Sequence, residues 1–310
     1  MLTANFSDNF DIECLGEQEI DVYDIEVEDN HNFFANDICV HNSTYIRMED
    51  IVSKYSKSED VFDNIKYLNM VCENIIQPAL KVSFDKIVNQ MNCYDNRIRM
   101  AREVIASRAV WTSKKHYIIA VYDDGGITFS KPKFKIMGME SQRSSTPEFC
   151  RNFLKKSYEI VLTQSEKDMQ KYYKQSKKEF FALPIEGIAK PTGVSNIDKF
   201  YDPSTLYIKG TPIHCRGSLI YNKLIHDKNL EKHLTPIKSG DKIKVVYLKM
   251  PNPTKENVIS FPDFLDQRLG LDEYVDKKKM FDNNLLTPLK TVLDVVGWQP
   301  ERKTMLRFKQ

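Results

Sequence analysis

The chain has 310 residues, of which 41% are hydrophobic and 28% charged, with a formal net charge of +2. That is long enough for two or three compact units and too apolar for disorder by composition. No run of about eighteen apolar residues exists, which excludes a membrane-spanning helix, and MLTANFSDNFDIE lacks the basic start and apolar stretch of a secretory signal.

The net charge conceals two opposed regions. Residues 1–42 contain eleven acids and no Lys or Arg. All 45 basic residues and 32 of the 43 acids follow, so the formal charge is −11 before Ser43 and +13 from it onward. Six scattered cysteines form no C-x-x-C pair, which argues against a disulfide frame or zinc site and suits a reducing cytoplasm. No internal repeat, low-complexity linker or Gly-rich phosphate loop is present.

In chain order, IDVYDIEVE at 20–28 is β-branched and partly alternating, which predicts a strand. Asp29-Asn30 is a turn, Asn32-Phe33-Phe34-Ala35 starts a second strand, and Asn36-Asp37 turns the chain into Ile38-Cys39-Val40. Three short strands cannot bury their apolar faces alone. They need a partner that completes the sheet, and eleven uncompensated negative charges point to a basic one.

His41-Asn42-Ser43 marks the change of charge. An asparagine can cyclise onto its own carbonyl and cut the chain when a proton donor stands beside the bond. His41 is adjacent and His31 can return to it; imidazole suits that work near neutral pH. Ser43 offers a hydroxyl nucleophile directly after the cut. Alone, the tripeptide reads as a turn. Together with VYDIEVEDNHNFFANDICV before it, the segment resembles the two C-terminal motifs of inteins. Asp24, His31, His41, Asn42 and Ser43 fall on that pattern, while Asp37 and Cys39 stand where the family often has Gly and an aliphatic residue. The first intein nucleophile is absent after Met1, so the resemblance implies the C-terminal half of a split intein acting in trans. Ser43 would accept the acyl chain, Asn42 would cyclise with help from His41 and His31, and Asp24 would assist the first acyl shift.

From Ser43 onward, helical spacing covers 59–98, with Pro78 as a break or kink. IIAVYDDGGITF predicts a hairpin around Gly125-Gly126, and KPKFKIMGME at 131–140 follows as a second apolar-alternating stretch. A long helical pattern runs from Pro147 to Phe181, and a last helix covers about 279–296 with Pro288 as a kink. Lysines cluster near aromatics at Lys114-Lys115-His116-Tyr117, Lys131 to Lys135 and Lys171 to Lys178. Such clusters suit a phosphate backbone; for the last group a solvated helix face is an equal reading.

These pieces resemble the C-terminal part of a family-B replicative DNA polymerase of the T-even-like phage type. MAREVI (100–105) resembles the palm segment with a carboxylate near the metals, here Glu103, against a plain helix-face or salt-bridged Glu. SKKHY (113–117) resembles K-K-R-Y with His116 in place of Arg, which removes a permanent charge. KIMGMESQRSSTP (135–147) resembles the segment from palm to thumb, where Met137 and Met139 read as core. PIHCRGSLIYN (212–222) resembles the thumb signature H-x-R-G-x-L-x-Y, with His214, Arg216, Gly217 and Tyr221. Ser43-Thr44-Tyr45 resembles the S-x-Y that follows the two metal-binding aspartates of Y-G-D-T-D-S. Neither aspartate is in this chain, so the resemblance places no principal metal ligand here.

The implied fold class is α+β: a short all-β intein fragment at 1–42 completing a Hint-type fold with a partner chain, part of a palm (β-hairpins plus helices) at 43–140, and a mostly helical thumb with a C-terminal tail at 141–310. The implied product is a DNA-directed DNA polymerase in the host cytoplasm, assembled with an N-terminal half and using two Mg²⁺ ions, dNTPs and primer-template DNA. Lys114, Lys115 and Tyr117 would hold the primer backbone, while His214, Arg216 and Tyr221 would lie on the duplex. Met305, Leu306 and Phe308 resemble loosely the tail that docks on a sliding clamp. The rival reading is a non-catalytic DNA-binding remnant with a dead intein fragment.

Overall fold

The computed structural model describes residues 33–35, 38–40, 45–56 and 58–301. It is a mixed α+β protein with small sheets. Among the described residues no helix is long and apolar enough to cross a membrane. Two compact units emerge: one holds the described residues up to Ile105 together with Asp123–Ile127, the other holds Ala106–Tyr122 and the residues from Thr128 onward.

In the first unit, β1 (Phe33–Ala35) and β2 (Ile38–Val40) pair antiparallel in the register Phe33↔Val40 and Ala35↔Ile38. The strand expected at 20–28 lies outside the described residues. After α1 (Glu49–Ile51), which runs on into a wide π turn at Val52–Ser56, Asp60 caps α2 (Val61–Val71) by accepting from the Phe62 N–H at 2.9 Å. Before Pro78 the helix widens into a π segment, Cys72–Ile76, and then continues as α3 (Gln77–Gln90). The wider turn accommodates a ring that lacks an N–H and would crowd the preceding turn. Ile65, Val71, Phe84 and Val88 are the buried residues of α2 and α3. Phe62, Met70, Val82 and Met91 are exposed.

The sheet β3-β4-β5 comprises β3 (Val104–Ser113), β4 (His116–Asp124) and β5 (Ile127–Met137). Gly125 and Gly126 make the expected turn, both with positive φ. The two stretches read separately at 127–130 and 131–140 form one strand. Pro132 fits there because β5 is an edge, where a missing ladder donor is tolerated. The central strand β4 is apolar on both faces, with Ile118, Ile119, Ala120 and Val121 all buried.

The helical pattern from 147 to 181 is two helices, not one. α4 (Glu148–Thr163) ends before Ser165, and α5 (Glu166–Ala182) begins there with a capping box formed by Ser165 and Asp168. Cys150, Phe153, Leu154, Tyr158 and Val161 give α4 one buried face, and Met169, Tyr173 and Phe180 give α5 another. The Lys277 ammonium satisfies the C-terminal carbonyls of α5 at Phe181 (3.2 Å) and Leu183 (2.8 Å). Burial pushes the Cys150 thiol up to about 12, which keeps it protonated and unreactive.

The short helix α6 (Ile185–Ile188) leads to β6 (Lys190–Gly193), and β7 (Tyr201–Asp202) pairs with β8 (Leu206–Tyr207). α7 (Ile213–Asp227) packs on a three-stranded antiparallel sheet in the order β10-β9-β6, with β9 (Lys242–Tyr247) central and β10 (Val258–Phe261) wholly buried. Finally α8 (Lys277–Phe281), a π segment at Asp282–Leu286 and α9 (Thr287–Val295) repeat at Pro288 the arrangement seen at Pro78. Phe281 meets Phe180 at 5.2 Å and Tyr173 at 5.9 Å, both edge-on.

Candidate nucleic-acid interface

Asp24, His31, His41, Asn42 and Ser43 lie outside the described residues, as do Met305, Leu306 and Phe308. The remaining expected site residues fall in three places.

Glu103 stands immediately before β3 with an exposed side chain, not on a helix face. Its carbonyl accepts from the Gly125 N–H at 2.8 Å, which ties the start of β3 to the glycine turn. The buried carboxylate beside this glycine turn is Asp123, near the end of β4, which sequence reasoning did not single out. Asp123 is 0% exposed, ion-paired with Arg102, and accepts the Gly126 N–H at 3.0 Å. The signal available was an Asp three residues before the second glycine of a turn. Among the described residues no group of three or more His, Cys, Asp or Glu could hold a metal ion.

Lys114 and Lys115 form the connection between β3 and β4, both exposed. Lys115 has φ 63°, in the left-handed region that costs a residue with a Cβ roughly 1 kcal/mol or more. The imidazole of His116 sits back on this turn, with Nδ1 2.8 Å from the Lys114 carbonyl. Thr112 Oγ1 donates to the His116 carbonyl at 3.2 Å. Tyr117 is half-buried on β4. Beside the turn is a cleft of about 260 Å³ whose lining includes Ser113, His116, Gly138, Glu140, Arg143 and Tyr158. The Tyr158 side chain is 1% exposed and its hydroxyl has no hydrogen-bond partner among the described residues. Burial, and next the Glu140 carboxylate, hold its ionisation well above the usual phenol range. An unpartnered buried hydroxyl costs about 1–3 kcal/mol. Tyr158→Phe therefore raises stability by about 1 kcal/mol, read as a higher midpoint in urea unfolding.

The H-x-R-G-x-L-x-Y residues lie on α7, which starts directly after Pro212. His214 is half-buried and burial lowers its pKa, which favours the neutral ring. Its carbonyl accepts from Ser218 (2.8 Å) and from Ser260 on β10 (3.0 Å). Arg216 donates to Asn257 Oδ1 at 2.5 Å, lies 3.8 Å from Glu256 Oε2, and stacks over the Tyr207 ring at 5.9 Å. Tyr207 in turn donates to Glu256. The guanidinium thus clasps β8, α7 and the loop before β10. Tyr221 is 2% exposed and belongs to the core. That corrects the expectation of a DNA contact: it follows Gly217 and precedes Ile225 by four residues each, on the buried face of the helix.

The basic-aromatic group at 171–178 also divides. Tyr173 is buried, Tyr172 stacks on Phe153 at 5.3 Å, and Lys177 pairs with Glu301 at 2.7 Å. Lys171, Lys174 and Lys178 are exposed.

No protein-family model matches the chain. Two curated relatives do, both named DNA-directed DNA polymerase. That of Enterobacteria phage T4 is 27% identical over 302 residues, 89% of this chain and 33% of the relative. That of Escherichia phage RB69 is 30% identical over 279 residues, 86% of this chain and 30% of the relative. The chain spans about a third of the length of the curated relatives it matches. Over most of its length it is thus homologous to a part of phage DNA-directed DNA polymerases.

Proposed function

We propose that this chain is the C-terminal part of a phage replicative family-B DNA-directed DNA polymerase, joined to its N-terminal half by protein trans-splicing. The observation that carries the polymerase reading is the homology over more than four-fifths of the chain to about a third of two phage proteins named DNA-directed DNA polymerase. Phe62, Met70, Val82 and Met91, exposed on the first unit, fit a body that packs against more polypeptide. The splicing reading rests on the set Asp24, His31, His41, Asn42 and Ser43 at the point where the charge changes sign.

In this reading residues 1–42 are the intein fragment, 43–140 the rest of the palm, and 141–310 the thumb and tail. The −11 charge of the fragment draws in a basic intein N-half. Ser43 takes the acyl chain by transesterification, Asn42 cyclises beside His41 and His31, and an O-to-N shift leaves a peptide bond at Ser43. In the assembled enzyme aspartates of the other half would hold Mg²⁺, which would supply charge stabilisation for nucleotidyl transfer. This chain contributes Glu103 as an auxiliary carboxylate, Lys114, Lys115 and Tyr117 to the primer backbone, and His214 and Arg216 to the thumb. Arg216 acts there chiefly by holding the α7 surface in shape. Partners are primer-template DNA, dNTP and, through the tail, a sliding clamp, all in the host cytoplasm.

Intact mass is the test. The chain, tagged at Gln310, is co-expressed with the proposed N-half and purified through the tag under denaturing conditions. A product that has lost residues 1–42 and gained the N-half at Ser43 is expected, and it vanishes in the Asn42→Ala, Ser43→Ala double variant. Recovery of only the 310-residue chain sinks trans-splicing.

A further inference from the structure

We propose that His116 and Gly138 form a brace that fixes the attitude of the Lys114-Lys115 turn, His116 acting as a positioning residue and not as a phosphate ligand. The proposal rests on reading this turn as a contact to the DNA backbone.

A two-residue turn with one left-handed lysine does not hold itself. Lys115 at φ 63° sits above its preferred backbone energy, so something outside the turn must over-determine it. Two contacts do. A carbonyl oxygen can only accept, so the 2.8 Å contact to Lys114 requires a hydrogen on His116 Nδ1. That donor exists in the neutral Nδ1–H tautomer and in the protonated ring alike. The second contact comes from Gly138, just past the end of β5. It has φ 67°, and a Cβ there would stand 2.3 Å from the Lys115 carbonyl oxygen and 2.9 Å from His116 Cδ2. The backbone at 138 is therefore pressed directly against the turn and the ring. Only a residue without a side chain permits this, and a carbonyl oxygen cannot rotate out of the way.

The consequence is a division of labour. The two exposed ammonium groups meet the phosphates, and the ring and the glycine decide where those groups point. Where the resembled K-K-R-Y pattern has a third cation, this chain has a donor already committed inward. A brace of this kind is read through the affinity and salt dependence of binding, because each lysine–phosphate contact contributes roughly one unit to the slope of log K against log salt.

The test uses the full 310-residue chain and a fluorescent primer-template duplex, with Kd measured by anisotropy across a salt series. The double variant Lys114→Ala, Lys115→Ala is expected to bind roughly tenfold or more weakly, with the slope reduced by about two. Gly138→Ala should show the same kind of loss with both lysines present. His116→Asn should keep wild-type affinity and slope, because the Asn Nδ2 occupies the place of Nδ1. His116→Gln, whose amide lies one bond further out, should bind weakly. Equal weakening by Asn and Gln, with one unit of slope lost, makes the ring a phosphate ligand and overturns the brace. Unchanged binding by Gly138→Ala overturns it as well. If Gly138→Ala does not fold, the Asn and Gln pair decides alone. An unaffected lysine double variant rejects the DNA contact itself, and the brace with it, in a pattern unlike the other two.

Discussion

Asp123→Ala is expected to lower stability by about 3–5 kcal/mol, the usual loss when one partner of a buried ion pair is removed. The side chain of Asp123 is 1% exposed and that of Arg102 only 16%, so the stranded guanidinium cannot regain full hydration. The same carboxylate also caps the glycine turn through Gly126. Urea unfolding followed by circular dichroism measures the loss, and two further variants apportion it. Asp123→Asn keeps an oxygen for the Gly126 N–H but removes the charge. Asp123→Ala combined with Arg102→Met removes both charges, and recovery of half or more of the loss is expected. If Asp123→Ala costs less than about 1 kcal/mol, the pair is not a buried one in solution.

The second large effect is at Gly217. By helix propensity alone, Gly217→Ala inside α7 would gain about 1 kcal/mol. The neighbours reverse the sign. A Cβ at 217 would stand 2.4 Å from Ser260 Oγ and 2.8 Å from Ser260 N. The hydroxyl could rotate, although it would give up its bond to the His214 carbonyl; the backbone nitrogen of a wholly buried strand cannot. Overpacking of this kind costs typically about 1–3 kcal/mol and exceeds the propensity gain. Differential scanning calorimetry should show a lower Tm for Gly217→Ala, and a lower one still for Gly217→Val. A rise in Tm would mean that α7 does not sit this close to β10.

Local signals in the sequence predicted local structure well. The hairpin at Gly125-Gly126 was legible because two glycines separate two β-rich runs. Lys114-Lys115 was legible only as a basic cluster beside that hairpin; the strand Val104–Ser113 that brings the chain into a turn there was not read. What was hidden depends on partners distant in sequence. Arg216 looks like a free cation until Asn257, Glu256 and Tyr207 are brought around it. The demand for glycine at 138 appears only when Lys115, more than twenty residues earlier, lies against it. Two errors were local and avoidable. The division at Ser165 had a capping-box signature, Ser-x-x-Asp, and the burial of Tyr221 follows from the helical period of its own motif. Asp24, His31, His41, Asn42 and Ser43 rest on pattern alone, because they lie outside the described residues.

The π segments before Pro78 and Pro288 have a consequence for winding. Each wide turn amounts to one residue beyond regular α spacing. At 3.6 residues per turn, one residue is about 100° of rotation. In a regular α-helix that extra residue would rotate everything after it by this angle; the wide turn absorbs it, so Phe84 stays on the face that Ile65 buries although the two are nineteen residues apart. Deleting one residue from Cys72–Ile76 would restore regular winding and keep Phe84 and Val88 facing inward, whereas adding one would exceed what a single wide turn can take up. These two segments work as phase correctors, so the residue count within them matters more than the identity of any one side chain.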